Sequence, residues 1–235
     1  MITIDVKGDI VSNAFKMMYD WFGQECFTPK DLAQAMEKSS ENEEITLNIA
    51  SNGGDVFAAS EIYSVLKAAK QTVTVNIQGL AASAASVIAM AGDIINISPT
   101  AQIMIHKAWS QPAGNADDLE HEAAILKGID ESIAAAYGLK TGMTQTDILH
   151  LMSKETWFTA QEAVDKGFAD NILFVDTSQS VFSNSVGKLP SIEKLNEFMN
   201  FMNFRNRNRI PETQIIKENK QADLRQRKLA ILLEK

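Results

Sequence analysis

Cysteine is nearly missing from this chain: Cys26 is the sole one in 235 residues, which excludes an internal disulfide framework and suits a reducing compartment. With no partner thiol, Cys26 reads as a packing residue rather than a nucleophile. Long apolar runs are also missing. The longest, 79–92, is interrupted by Ser83 and Ser86 and is too short to span a bilayer. The opening MITIDVKGDI alternates apolar and polar residues and lacks the basic and apolar regions of a signal peptide. A cytoplasmic protein without a membrane segment is expected. Positive charge is scarce in most of the chain. Residues 176–235 hold 11 Lys and Arg against 7 Asp and Glu, so of the net −8 the remainder, 1–175, carries −12. An acidic body makes nucleic acid an unsuitable partner. Histidines number three, so any imidazole chemistry has few possible bearers.

What is present is an α/β pattern. Strands are predicted at 2–6, 45–50, 72–78 and 101–106, and helices at 30–38, 58–69, 82–90, 116–137 and 144–152. Thr159-Ala-Gln-Glu162 reads as a capping box opening a short helix that ends at Gly167. Strands alternating with helices indicate an α/β domain over 1–175. A Ser-rich linker is expected at 176–192 and an amphipathic, basic tail at 193–235.

Three short pieces carry chemistry. Ser51-Asn-Gly-Gly-Asp55 follows a strand, Gly79-Leu-Ala-Ala-Ser83 runs from a strand into a helix, and Met104-Ile-His106 ends a strand. Reacting groups gather at strand C-termini in such sheets. Ser83, at a predicted helix start, sits where free N–H groups and the helix dipole favour developing negative charge. The N–H of Ala84 is then a natural oxyanion donor, and Gly53-Gly54 can approach closely because no side chain obstructs them. A serine needs a base. His121 and His150 lie within predicted helices, and His121 opens no HExxH zinc motif because residue 125 is Ile. That leaves His106. Residue chemistry reaches a Ser/His site on an α/β fold, with no metal or cofactor implied.

Ser51-Asn-Gly-Gly-Asp-Val56, Gly79-x-Ala-Ala-Ser83, Met104-Ile-His106 and Thr159-Ala-Gln-Glu-Ala163 with Gly167-Phe-Ala-Asp170 resemble the ClpP peptidase blocks, in the family's order and spacing. The resemblance covers about 1–175. It implies a β-β-α spiral with a helical projection, 110–152, that mediates assembly into rings, by analogy two stacked heptamers. It assigns Ser83 as nucleophile, His106 as general base, Gly54 and Ala84 as oxyanion donors with Gly53 beside them, and Asp55 and Val56 as substrate contacts. The family acid, usually Asp, falls here on Glu155; Asp147 and Asp165 match that position less well.

Glu155-Thr-Trp-Phe-Thr-Ala160, Ser51-Asn-Gly-Gly-Asp55 and Ala81-Ala-Ser-Ala-Ala-Ser-Val-Ile-Ala-Met90 resemble the bacteriophage or prophage head-maturation branch of that family. The first strand begins at Ile2, without the stretch that contacts an ATPase ring, and a tail follows 176. Both lead to the expectation of a prohead protease that cleaves capsid or scaffold proteins without an ATPase, in the host cytoplasm or inside procapsids. The competing readings are a proteolytic subunit of an ATP-dependent Clp protease, a crotonase-type acyl-CoA enzyme of the same fold, and a non-catalytic shell component.

Overall fold

A computed structural model describes residues 1–38, 40 and 43–175. The expected linker and tail lie outside the described residues. Strands β1 (Ile2–Ile10), β3 (Ile45–Gly54) and β4 (Val73–Ala82) form the centre of a sheet, with β2 (Cys26–Phe27) beside β1 and β5 (Ile94–Ile97) and β8 (Asn171–Ile172) beyond β4. These strands all pair in parallel. Parallel pairing requires crossovers. Helices α1 (Lys16–Phe22), α2 (Pro29–Met36), α3 (Val56–Ala68) and α4 (Ala84–Ala89) lie between consecutive strands.

Alternation along the strands sets the two faces. Ile45, Leu47 and Ile49 of β3, Val73, Val75 and Ile77 of β4, and Ile95 and Ile97 of β5 are buried. They share a core with Leu32 of α2, Ile62 and Leu66 of α3 and Ile88 of α4. Each such side chain contributes about 1.5–3 kcal/mol on burial.

The opposite face carries a polar ladder. Asp5, Asn48, Asn76, Asn96 and Asn171 stand in register across β1, β3, β4, β5 and β8. Asn48 Nδ2 donates to Asp5 Oδ1 (3.0 Å), Asn76 to Asn48 (3.3 Å), Asn96 to Asn76 (3.0 Å) and Asn171 to Asn96 (3.1 Å). A slip of one residue would turn these amides into the apolar face, so the ladder pins the register.

β4 serves two partners, and that division positions the site. Its first half, Thr74 to Ile77, pairs with β5, whereas Leu80, Ala81 and Ala82 pair with β6 (Gln102–Ile105). β6 in turn pairs antiparallel with β7 (Thr156–Thr159). The predicted strand at 72–78 therefore runs four residues further, directly up to Ser83.

Helix α5 (Ala116–Thr141) starts at an Asn115–Asp118 capping box and ends at Gly142 in the left-handed conformation. Its first half buries nothing; from Asp130 onward it packs Ile133, Ala134, Ala136 and Tyr137 inward. Lys140 ties its last turn to the sheet by donating to Asp170 Oδ2 at 2.9 Å. Helices α6 (Gln145–Ser153) and α7 (Ala160–Asp165) follow, the latter opened by the predicted Thr159–Glu162 capping box.

Candidate active site

Ser83 joins β4 to α4 with φ 52° and ψ −123°, a left-handed region costly to any residue bearing a Cβ. Surrounding contacts hold it there. Its N–H donates to Met104 O of β6 (2.9 Å), and its carbonyl accepts from the N–H groups of Ser86 and Val87. The same pairing that aligns Ala82 with Met104 brings the ends of β4 and β6 together. His106 Nε2 then lies 2.7 Å from Ser83 Oγ. In the tautomer protonated on Nδ1, Nε2 is free to accept the serine proton.

A second hydroxyl supports this elbow from below. Ser86 Oγ donates to Ser83 O (2.6 Å) and lies 2.8 Å from Tyr137 Oη. The Ser86 proton is committed to the carbonyl, so the Tyr137 hydroxyl is the donor of that pair. Tyr137 is fully buried, and burial pushes its pKa far up, so it stays a neutral phenol able to donate.

The glycine pair packs against the elbow. Gly53 has φ 100°, and a Cβ on it would stand 2.6 Å from Ala82 O, 2.8 Å from Ser83 Cβ and 2.9 Å from Ala84 N. No side chain fits. Its N–H is already used, donating to Ser51 Oγ (3.1 Å), while Ser51 Oγ donates to Gly8 O (2.6 Å). Gly54 pairs with Ile10, and Asp55 N donates to Ile10 O (2.7 Å). In a parallel ladder this arrangement turns the N–H of Gly54 itself away from β1. Of the two glycines, Gly54 is thus the one with an N–H to offer, and Gly53 is the one that permits close approach.

A pocket of ≈ 210 Å³ opens at Ser83 and His106. Gly54, Asp55, Val56 and Ala84, the residues that the family resemblance singled out, border it; Trp109, Ile133 and Tyr137 do so too, which the sequence reading missed. Asp55 Oδ1 caps α3 by accepting from Phe57 N (2.8 Å) and Ala58 N (3.1 Å), which fixes the loop that borders the pocket.

The Clp protease family matches residues 31–176, more than half of the chain, including every residue just described on β4, β6 and α5. The chain belongs to the Clp protease family. Curated relatives include the ATP-dependent Clp protease proteolytic subunit 2 of Tropheryma whipplei, 32% identical over 55% of this chain and 73% of the relative. The ATP-dependent Clp protease proteolytic subunit of Deinococcus radiodurans is 30% identical over 60% of this chain and 72% of its own. The proteolytic subunit 1 of Leifsonia xyli is 29% identical over 73% and 91%. Membership in the Clp protease family implies a serine peptidase.

Glu155 is brought near but not joined. β6 and β7 pair from Gln102↔Thr159 to Ile105↔Thr156. His106 and Glu155 are the residues just beyond the last of these pairs. The carboxylate instead accepts from Trp157 Nε1 (3.3 Å), and among the described residues no hydrogen bond links it to His106. Glu155 also has φ 48°, so the chain turns sharply at this point. The two weaker matches have other partners: Asp147 accepts from Thr144 Oγ1 (2.6 Å) at the start of α6, and Asp165 from Gln161 Nε2 (2.8 Å).

Asp130 was not anticipated. Buried on α5, it accepts from Ala108 N (2.8 Å) and stands 3.8 Å from Lys107 Nζ, holding the segment that leaves His106. Its signal was its place on the apolar stripe Asp130, Ile133, Ala134, Tyr137, at helical spacing. Cys26 is half-buried; burial pushes its thiol pKa up against the opposing pull of Lys16, away from nucleophilic character. Among the described residues no group of His, Cys, Asp and Glu is arranged to hold a metal, and no helix is long and apolar enough to cross a membrane.

Proposed function

We propose that this chain is a serine endopeptidase whose nucleophile is Ser83, whose base is His106 and whose orienting acid is Glu155. The observation that carries this reading is the 2.7 Å Ser83–His106 contact at a positive-φ elbow. Ser83 Oγ attacks a peptide carbonyl while His106 Nε2 takes the hydroxyl proton. The tetrahedral oxyanion is met by the N–H groups of Gly54 and Ala84. His106 then returns the proton to the leaving amine as the C–N bond breaks, leaving an acyl ester on Ser83. Water, deprotonated by the same imidazole, hydrolyses that ester. As the substrate displaces water, the Glu155 carboxylate leaves Trp157 for His106 Nδ1–H and stabilises the imidazolium.

The substrates in this reading are capsid or scaffold proteins cleaved during phage head maturation, inside homo-oligomeric rings and without an ATPase. What supports it is the resemblance of the segments 81–90 and 155–160 to head-maturation proteases. A second reading, a subunit of an ATP-dependent Clp protease, is favoured by the names of the relatives. Size-exclusion chromatography with a peptide assay on each fraction separates the two. Activity in an assembled fraction without nucleotide, lost in Ser83→Ala, supports the first. Protein cleavage appearing only with a Clp ATPase and ATP supports the second.

A further inference from the structure

Helix α1 is an odd element. Within eight residues it exposes Phe15, Met17, Met18, Trp21 and Phe22, and it buries no residue at all. Polar ties hold it instead: Tyr19 Oη donates to Asp9 Oδ2 (2.9 Å), and Lys16 pairs with Asp31 (3.7 Å). It also precedes the segment, 31–176, that matches the family. A helix tethered by polar groups with its apolar side chains outward is arranged to be covered.

Helical spacing divides those side chains. Phe15, Met18 and Tyr19 lie at i, i+3, i+4 and, with Ile10 and Val11, line a cavity of ≈ 480 Å³. Met17 and Trp21, at i and i+4, lie on another side and are the most exposed, at 82% and 79%. The cavity's remaining wall is the active-site loop itself: Gly54 and Asp55 border both this cavity and the pocket containing Ser83. Its size falls within the range of ligand sites, whereas the Ser83 pocket has room for about one side chain. Two carboxylates stand at its edge, Asp9 and Asp55, the first accepting from Tyr19 and the second capping α3.

We propose that this cavity is a second substrate subsite, in which Phe15 and Met18 receive an apolar side chain of the peptide whose carbonyl lies at Ser83. This rests on the peptidase reading of the Ser83 site. A chain that places its carbonyl at the Gly54 and Ala84 N–H groups passes over Gly54 and Asp55, and so meets the Ser83 pocket on one side and the α1 cavity on the other. The apolar walls select an aliphatic or aromatic residue. The Asp9 and Asp55 carboxylates reject Asp and Glu there by like-charge repulsion and tolerate Lys or Arg at the rim. α1 is therefore a specificity element beside the oxyanion loop.

The test is cleavage-site profiling of the full-length protein on a mixed peptide library, comparing wild type with Met18→Glu and Met17→Glu. Fluorophosphonate labelling of Ser83 in each protein reports separately on the nucleophile. The wild type should favour an apolar residue and disfavour acidic ones at one fixed distance from the scissile bond. Met18→Glu should reduce kcat/KM for those apolar substrates about tenfold or more, chiefly through KM, and raise the share of Lys and Arg at that position. Met17→Glu, outside the cavity, should retain the wild-type profile. A Met18→Glu protein that labels and keeps the wild-type profile overturns the subsite. So does a changed oligomeric state with an unchanged profile, which would assign α1 to a contact between copies. No labelling of the wild type removes the peptidase reading and this subsite with it.

Discussion

The two halves of the proposed triad are held differently. Ser83 and His106 end adjacent strands whose pairing is fixed by backbone hydrogen bonds, and their side chains already meet at 2.7 Å. Glu155 sits one step past the last β6–β7 pair, at a sharp turn, with its carboxylate engaged by Trp157 at 3.3 Å. One half is set by the fold; the other requires a side-chain rearrangement. On the proposed reading, the comparison teaches that a sheet can preorganise a nucleophile and its base while the orienting acid has still to be recruited from another partner.

The first way to break that comparison is to remove the preorganised half. His106→Ala should lower kcat for peptide hydrolysis by a factor on the order of 10⁶, since Ser83 then has no proton acceptor. Steady-state kinetics on the purified, folded variant checks it.

Next comes the recruited half. Glu155→Gln should lower kcat by up to about 10⁴, because an amide favours the wrong imidazole tautomer and cannot stabilise the imidazolium. Glu155→Asp should lose less. A near-wild-type Glu155→Gln beside an inactive Asp147→Asn or Asp165→Asn would move the role elsewhere.

A smaller effect tests what holds the elbow. Tyr137→Phe removes the donor to Ser86, so the Ser83 carbonyl loses part of its support. The expected outcome is about a tenfold drop in kcat and about 1 kcal/mol of stability, read by kinetics and denaturant melts. The smallest effect sharpens the contrast most. Trp157→Phe frees the Glu155 carboxylate and should raise kcat a few-fold, a gain that disappears in the Glu155→Gln background.

Much of this was legible in the residues. Alternating β-branched runs gave the central strands, and Thr159-Ala-Gln-Glu162 marked a helix start that the structure places at α7. The Gly53-Gly54 pair and Ser83 were read from small side chains beside a hydroxyl. Helix α1 escaped because its apolar residues, Phe15, Met17, Met18, Trp21 and Phe22, lie on more than one side and form no single stripe. β7 escaped because its pairing to β6 joins segments more than fifty residues apart in sequence, which no local pattern reports. The polar ladder did leave a trace: Asn48-Ile49, Asn76-Ile77, Asn96-Ile97 and Asn171-Ile172 repeat one dipeptide on four strands. Its meaning depends on register, which only the folded sheet supplies. The Glu155 position was legible from motif order, but its engagement by Trp157 was not, because side-chain partners across a turn follow from the backbone angle.

The central claim is that Ser83 is the nucleophile activated by His106. Labelling the full-length protein with a fluorophosphonate and mapping the adduct by peptide mass spectrometry tests it most directly. The account predicts a single adduct on Ser83, formed far more slowly in His106→Ala. An adduct on Ser86, or equal labelling with and without the imidazole, would contradict it.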